Sequence, residues 1–94
     1  MKKIYWGSYT TYELEELIAK EPVVLIPIGA YEQHGPHLAL NTDKVIAELI
    51  CEEIVRQSDV PCSMLPAVWC GISEHHMKFA GSLTLRHETM TAYL

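Results

Sequence analysis

The sequence predicts an α/β fold, a partial parallel sheet flanked by helices, on three observations. Across its 94 residues, helical and strand patterns alternate in the order helix, strand, helix, strand, helix, the signature of a layered α/β domain. The first strand run, Val23-Val24-Leu25-Ile26-Pro27-Ile28, is apolar at every position, as in a parallel strand covered on both faces. Between the two strand runs, Ile46, Leu49, Ile50 and Ile54 recur at the i, i+3, i+4 and i+8 spacing of an amphipathic helix.

The elements follow from local chemistry. Thr10 and Glu13 have capping-box spacing and open a short helix. Its apolar face carries Leu14, Leu17 and Ile18, and its polar face Glu13, Glu15, Glu16 and Lys20. Glu21-Pro22 is expected to end it, because the residue before proline is pushed out of the helical region. In the first strand Pro27 cannot donate to a ladder, so pairing should loosen there. Residues 29–41 form a polar, turn-rich loop. Asn41-Thr42-Asp43 is expected to cap the second helix, with Glu48, Glu52, Glu53 and Arg56 facing water. Asp59 and Pro61 turn the chain into a second strand and its exit over residues 62–69. A histidine-bearing loop covers 70–81, Ser82-Leu83-Thr84-Leu85 is extended at best, and a third helix begins around Arg86 and His87. The pattern stops at Leu94 with no C-cap signal. Two strands are too few for a free-standing doubly wound sheet. Residues 1–94 therefore read as the N-terminal part of a single α/β domain, cut rather than finished.

Composition excludes several classes. With 49% hydrophobic and 20% charged residues the chain is globular. Its net charge is −5 and Lys2-Lys3 is its only adjacent basic pair, so nucleic acid is not an expected partner. Acidity mildly favours cation binding. Three cysteines, Cys51, Cys62 and Cys70, with no Cys-x-x-Cys pair, argue against a disulfide framework and a zinc ribbon. The start lacks a signal-peptide core, and the apolar run at 23–28 is far too short to span a bilayer. No membrane partner is expected, and the cytoplasm is the default location.

Chemistry concentrates in Gly29-Ala30-Tyr31-Glu32-Gln33-His34-Gly35-Pro36-His37-Leu38-Ala39-Leu40-Asn41-Thr42-Asp43. Ligands of open α/β sheets gather at the carboxyl ends of the strands, where this loop starts. If residues 31–34 are extended, Glu32 and His34 point the same way, and Asp43, at the start of a helix, can aim back at them. Two carboxylates and an imidazole suit Zn²⁺, Mn²⁺ or Fe²⁺. Other readings stand beside this one. Asp43 is stabilising at a helix N-terminus without a metal, and Glu32, His34 and His37 are also ordinary loop residues. His76 and His87 have no case beyond polarity. Trp6 and Trp69 read as partly buried aromatics, and Cys51 as a small apolar residue of the helix.

The run from Pro27 to Leu38, followed by Thr42-Asp43, closely resembles the signature of the creatininase (creatinine amidohydrolase) family. A second stretch, Gly71-Ile72-Ser73-Glu74-His75-His76-Met77-Lys78-Phe79-Ala80-Gly81-Ser82-Leu83-Thr84, resembles that family's later loop, with Ala80 and Ser82 where proline and threonine are more usual. The resemblance covers the chain but only the first part of a family member. It implies a three-layer α/β/α amidohydrolase with a dinuclear centre, commonly Zn²⁺ or Mn²⁺, in a homo-oligomer, often a hexamer. By position, Glu32 and His34 would each bind one metal and Asp43 would bridge both, while Ser73 and His75 would touch the substrate. The family's remaining ligands, a histidine and a glutamate, and its proton-transferring residues have no counterpart here. The implied reaction is hydrolysis of a C–N bond in a small, in some members cyclic, amide by a metal-activated water. Two further readings compete: a non-catalytic oligomerisation or binding module, and assembly in trans with a chain supplying the later ligands.

Overall fold

A computed structural model describes residues 3–94; Met1 and Lys2, on which the signal-peptide expectation and half of the basic pair rest, lie outside them. Helix α1 is Thr11–Ile18, strand β1 Val23–Leu25, helix α2 Thr42–Gln57, strand β2 Cys62–Met64 and helix α3 His87–Tyr93. Single turns of 3₁₀ helix occur at Trp6–Ser8 and Glu74–His76. The order of the five main elements is the one the sequence predicts.

The capping box at α1 forms as its spacing requires. Thr10 Oγ1 accepts from the Glu13 N–H at 3.2 Å, and Glu13 Oε1 accepts from the Thr10 N–H at 2.9 Å. Lys3 Nζ adds a third contact at 2.9 Å from the same carboxylate oxygen. The helix ends earlier than the proline suggests. Ala19 and Lys20 form a turn, and Glu21 takes φ 53°, the left-handed conformation that commonly closes a helix. The chain leaves through that residue, so Pro22 never acts as the helix stop.

β1 and β2 pair in parallel with Val23 opposite Cys62, Val24 opposite Ser63 and Leu25 opposite Met64. Consecutive parallel strands need a crossover, and α2 supplies it. Regular pairing stops at Leu25, just ahead of Pro27, as expected of a residue without an N–H. It resumes as a bridge between Ile28 and Val68, with the Val68 N–H on Pro27 O at 2.9 Å and the Gly29 N–H on Val68 O at 2.8 Å. On the other side of β2, Tyr5 bridges Met64, and Ser63 Oγ donates to Ile4 O at 2.9 Å. The buried centre is Val55, Cys62 and Met64, with Ile4, Tyr5, Leu25 and Cys51 against it.

Two expectations about α2 are corrected. Asn41 makes no side-chain capping bond; instead Thr42 Oγ1 donates to Ala39 O at 2.6 Å. The face predicted to be core is not. Ile46, Leu49, Ile50 and Ile54 are 48–59% exposed, whereas Val55, one residue round the helix, is fully buried. Cys51 and Glu52 share the inner side, and Glu52 Oε1 accepts from Tyr5 Oη at 2.6 Å. That bond and burial push the Tyr5 phenol up to about 12. The helix therefore has a small inner seam on β2 and a second, uncovered apolar stripe. Strand β1, read as covered on both faces, likewise leaves Val23 and Val24 exposed. The radius of gyration, 15.9 Å, exceeds the roughly 12 Å of a compact domain of this length.

Met64 is wholly buried at the centre of this small core, so Met64→Ala is expected to lower unfolding free energy by about 2–5 kcal/mol in urea titration. The Lys3 ammonium and the Thr10 N–H hold the Glu13 carboxyl down at about 2. A depressed acid contributes stability above its unfolded pKa, near 4.3, and loses it as pH falls toward 2. The wild-type chain should therefore lose more stability than Glu13→Gln between pH 4.5 and pH 2, compared by denaturant midpoints.

Candidate metal centre

Parallel pairing delivers both post-strand loops to the same end of the sheet. The first, residues 29–41, leaves β1. The second, residues 70–81, leaves β2. Leu83 N–H donates to Tyr31 O at 2.9 Å, Gln33 N–H to Ser82 Oγ at 3.2 Å, and Leu85 N–H to Gly71 O at 2.9 Å. Tyr31 and Trp69 meet ring to ring at 4.8 Å. Within the first loop, His34 bridges Leu38 across a turn that Gly35 enters at φ 75°, a region open to glycine.

Asp43 reaches the loop because α2 starts almost in contact with it. A methyl group added at Gly29 would lie 2.4 Å from the Lys44 Cα, so only glycine lets the helix start so close to the end of β1. Glu32 and His34, two residues apart in the loop, then face Asp43. His34 Nε2 lies 3.4 Å from Asp43 Oδ2 and 4.0 Å from Glu32 Oε1. Although buried, that nitrogen completes no hydrogen bond.

These three residues fit a metal ion. Ligand atoms roughly 2.0–2.2 Å from a tetrahedral ion lie about 3.3–3.6 Å apart, a few tenths of an ångström from the distances seen. Two carboxylates drawn to one point repel each other, and a buried imidazole nitrogen without a partner is costly; a divalent cation relieves both. Burial raises the Glu32 carboxyl, but the Ser73 hydroxyl, Asp43 and the neighbouring His76 and His75 imidazoles outweigh it, and the net direction is down. The Ser73 hydroxyl is fully buried and completes no hydrogen bond of normal geometry.

The second loop brings Ser73 and His75 to the same place in different ways. Ser73, expected to touch the substrate, is fully buried instead, with its N–H on Thr84 Oγ1 at 2.9 Å. His75 is exposed and meets the His76 ring at 4.1 Å in a tilted contact. His76 is the residue that sequence reasoning passed over. Its Nε2 lies 3.6 Å from Glu32 Oε2, and its Nδ1 3.2 Å from Gln33 Nε2. Glu32, His75 and His76 form a second cluster of possible donors sharing Glu32 with the first. His37 is exposed. An open apolar pocket of about 200 Å³ lined by Val68, Trp69, Cys70, Leu85, Thr89 and Tyr93 contains none of these side chains.

A family profile, Creatininase: creatinine amidohydrolase, matches residues 7–94. The chain belongs to the creatininase family. It is 35% identical to a mycofactocin precursor peptide peptidase of Mycobacterium tuberculosis, over 94% of this chain and 37% of that protein. It is 26% identical to a creatinine amidohydrolase of Pseudomonas putida, over 96% of this chain and 36% of that one. Among solved structures, a manganese creatininase superposes with a TM-score of 0.87 at 26% identity, over 98% of this chain and 37% of that one. A mutant creatininase of Zn-Zn type gives 0.86. The chain thus spans a little over a third of these relatives, and its α/β fold is theirs over that part. Among the described residues no helix is long and apolar enough to cross a membrane.

Gly29→Ala is expected to push the start of α2 away from the loop and carry Asp43 with it. Divalent-metal affinity should fall while far-UV circular dichroism stays helical.

Proposed function

We propose that these residues are the first part of a metal-dependent amidohydrolase acting on a C–N bond in a small amide, cyclic amides included. The observation that carries this reading is the unpartnered, buried His34 Nε2 lying between the Asp43 and Glu32 carboxylates. Family membership and the Mn and Zn-Zn forms of the solved neighbours support it.

Glu32, His34 and Asp43 would hold the ion, with Zn²⁺ the expected metal and Mn²⁺ or Fe²⁺ the alternatives for this donor set. The bound metal supplies Lewis acidity toward a water molecule and an amide carbonyl. The chain's own residues arrange the site. Asp43 and Glu32 set the negative charge that attracts the cation, and His34 presents an imidazole nitrogen between them. His75, exposed at the rim, would meet a substrate, whereas Ser73 is fully buried and would support the loop beneath it. The ligands that complete a dinuclear centre, and the acid that protonates the leaving nitrogen, lie outside these 94 residues in this reading. Nucleic acid and membrane are not partners in it, and the cytoplasm is its setting.

A second reading draws on the uncovered apolar stripe of α2 and the exposed Val23 and Val24: a homo-oligomer or binding module whose interface hides them. Light scattering at working concentration separates the two, since a monomer would count heavily against the module.

Zn²⁺ titration of the chain is expected to show weak binding that His34→Ala and Asp43→Asn each abolish. Unchanged binding in both variants would overturn the site. Amide hydrolysis by the 94 residues alone should be undetectable, and measurable turnover would refute the incompleteness of the centre.

A further inference from the structure

We infer that His76 is a positioning residue for the Glu32 carboxylate, held with its proton on Nε2 by the side-chain amide of Gln33. The inference rests on the metal-centre reading above and adds an outer partner to it.

The Gly35 N–H can only donate, and it lies 2.9 Å from the side-chain oxygen of Gln33. That contact settles which end of the amide is oxygen, so the amide nitrogen faces the other way. There it meets His76 Nδ1 at 3.2 Å. An amide nitrogen only donates, and Nδ1 must therefore accept. In a neutral imidazole the proton then sits on Nε2. Nε2 is the atom 3.6 Å from Glu32 Oε2.

The two oxygens of Glu32 consequently have different neighbours. Oε1 faces His34 Nε2 at 4.0 Å, beside Asp43, while Oε2 faces the His76 N–H. At 3.6 Å the second contact is electrostatic rather than a formed hydrogen bond. It still biases which oxygen turns toward the metal point, and it does so among half-buried side chains with little water to screen it. His76 is itself fixed on three sides. Its backbone N–H donates to Ser73 O at 2.9 Å, the His75 ring meets it at 4.1 Å in a tilted contact, and Phe79 lies 6.5 Å away.

This arrangement decides how the second cluster, Glu32, His75 and His76, is to be read. A protonated ring nitrogen offers no lone pair to a cation, and the other nitrogen is engaged by Gln33. His76 thus serves the carboxylate and leaves the metal to others, as outer partners of ligating groups commonly do.

The test combines metal binding with a direct view of the imidazole. Long-range ¹H–¹⁵N correlation on the metal-free chain is expected to show His76 protonated on Nε2; a proton on Nδ1 would overturn the proposal. In Zn²⁺ titrations against a chromophoric chelator, His76→Leu should weaken binding roughly 10–100-fold without changing the number of ions bound. His76→Gln, whose amide restores an N–H toward Glu32, should recover most of that loss. A drop of one bound ion per chain in both variants would make His76 a ligand and refute the inference, as would unchanged affinity in His76→Leu. Absence of Zn²⁺ binding by the wild-type chain would instead remove the metal-centre reading, and this inference with it.

Discussion

The parallel hydrogen bonds between the two strand segments are what everything else depends on. Antiparallel strands would send the two loops to opposite ends of the sheet. Because β1 and β2 run the same way, and the bridge from Ile28 to Val68 keeps them in register past Pro27, both loops emerge side by side. Glu32 and His34 from one loop can then lie against Ser73 and His76 from the other. The helix between the strands closes the arrangement, since its first turn returns Asp43 to the end of β1.

The close approach at Gly29 is the tightest point of that closure. A helix start packed directly on the strand exit leaves no room for a side chain there, and Asp43 gains its position from that contact. Its usual stabilisation near a helix N-terminus and a role toward His34 are compatible, because the one carboxylate faces both. Charge is concentrated where water is partly excluded. Such a cluster is expensive to assemble without a cation and favourable with one.

The hydrophobic side of the structure is less self-sufficient. Val55, Cys62 and Met64 make a compact centre, but it is small, and the apolar stripe along α2 lies in the open. A helix with two apolar faces belongs between two layers. The described residues supply one of them. The chain matches a little over a third of its relatives' length at high structural similarity.

Local chemistry determined the elements and their order. The Thr10–Glu13 box, the break at Pro27 and the helical period over 42–57 each depend on neighbours a few residues away, so each was legible in the sequence. So was the grouping of Glu32, His34 and Asp43, which one loop and one helix start bring together. The tertiary structure alone decided which face of α2 turns inward, because the apolar period marks a stripe without saying what lies against it. It alone placed His76, since the contacts of that residue are with Glu32 and Gln33, more than forty residues earlier in the chain. A pairing across two loops leaves no periodic trace, and only the register of the parallel strands brings its two halves within reach.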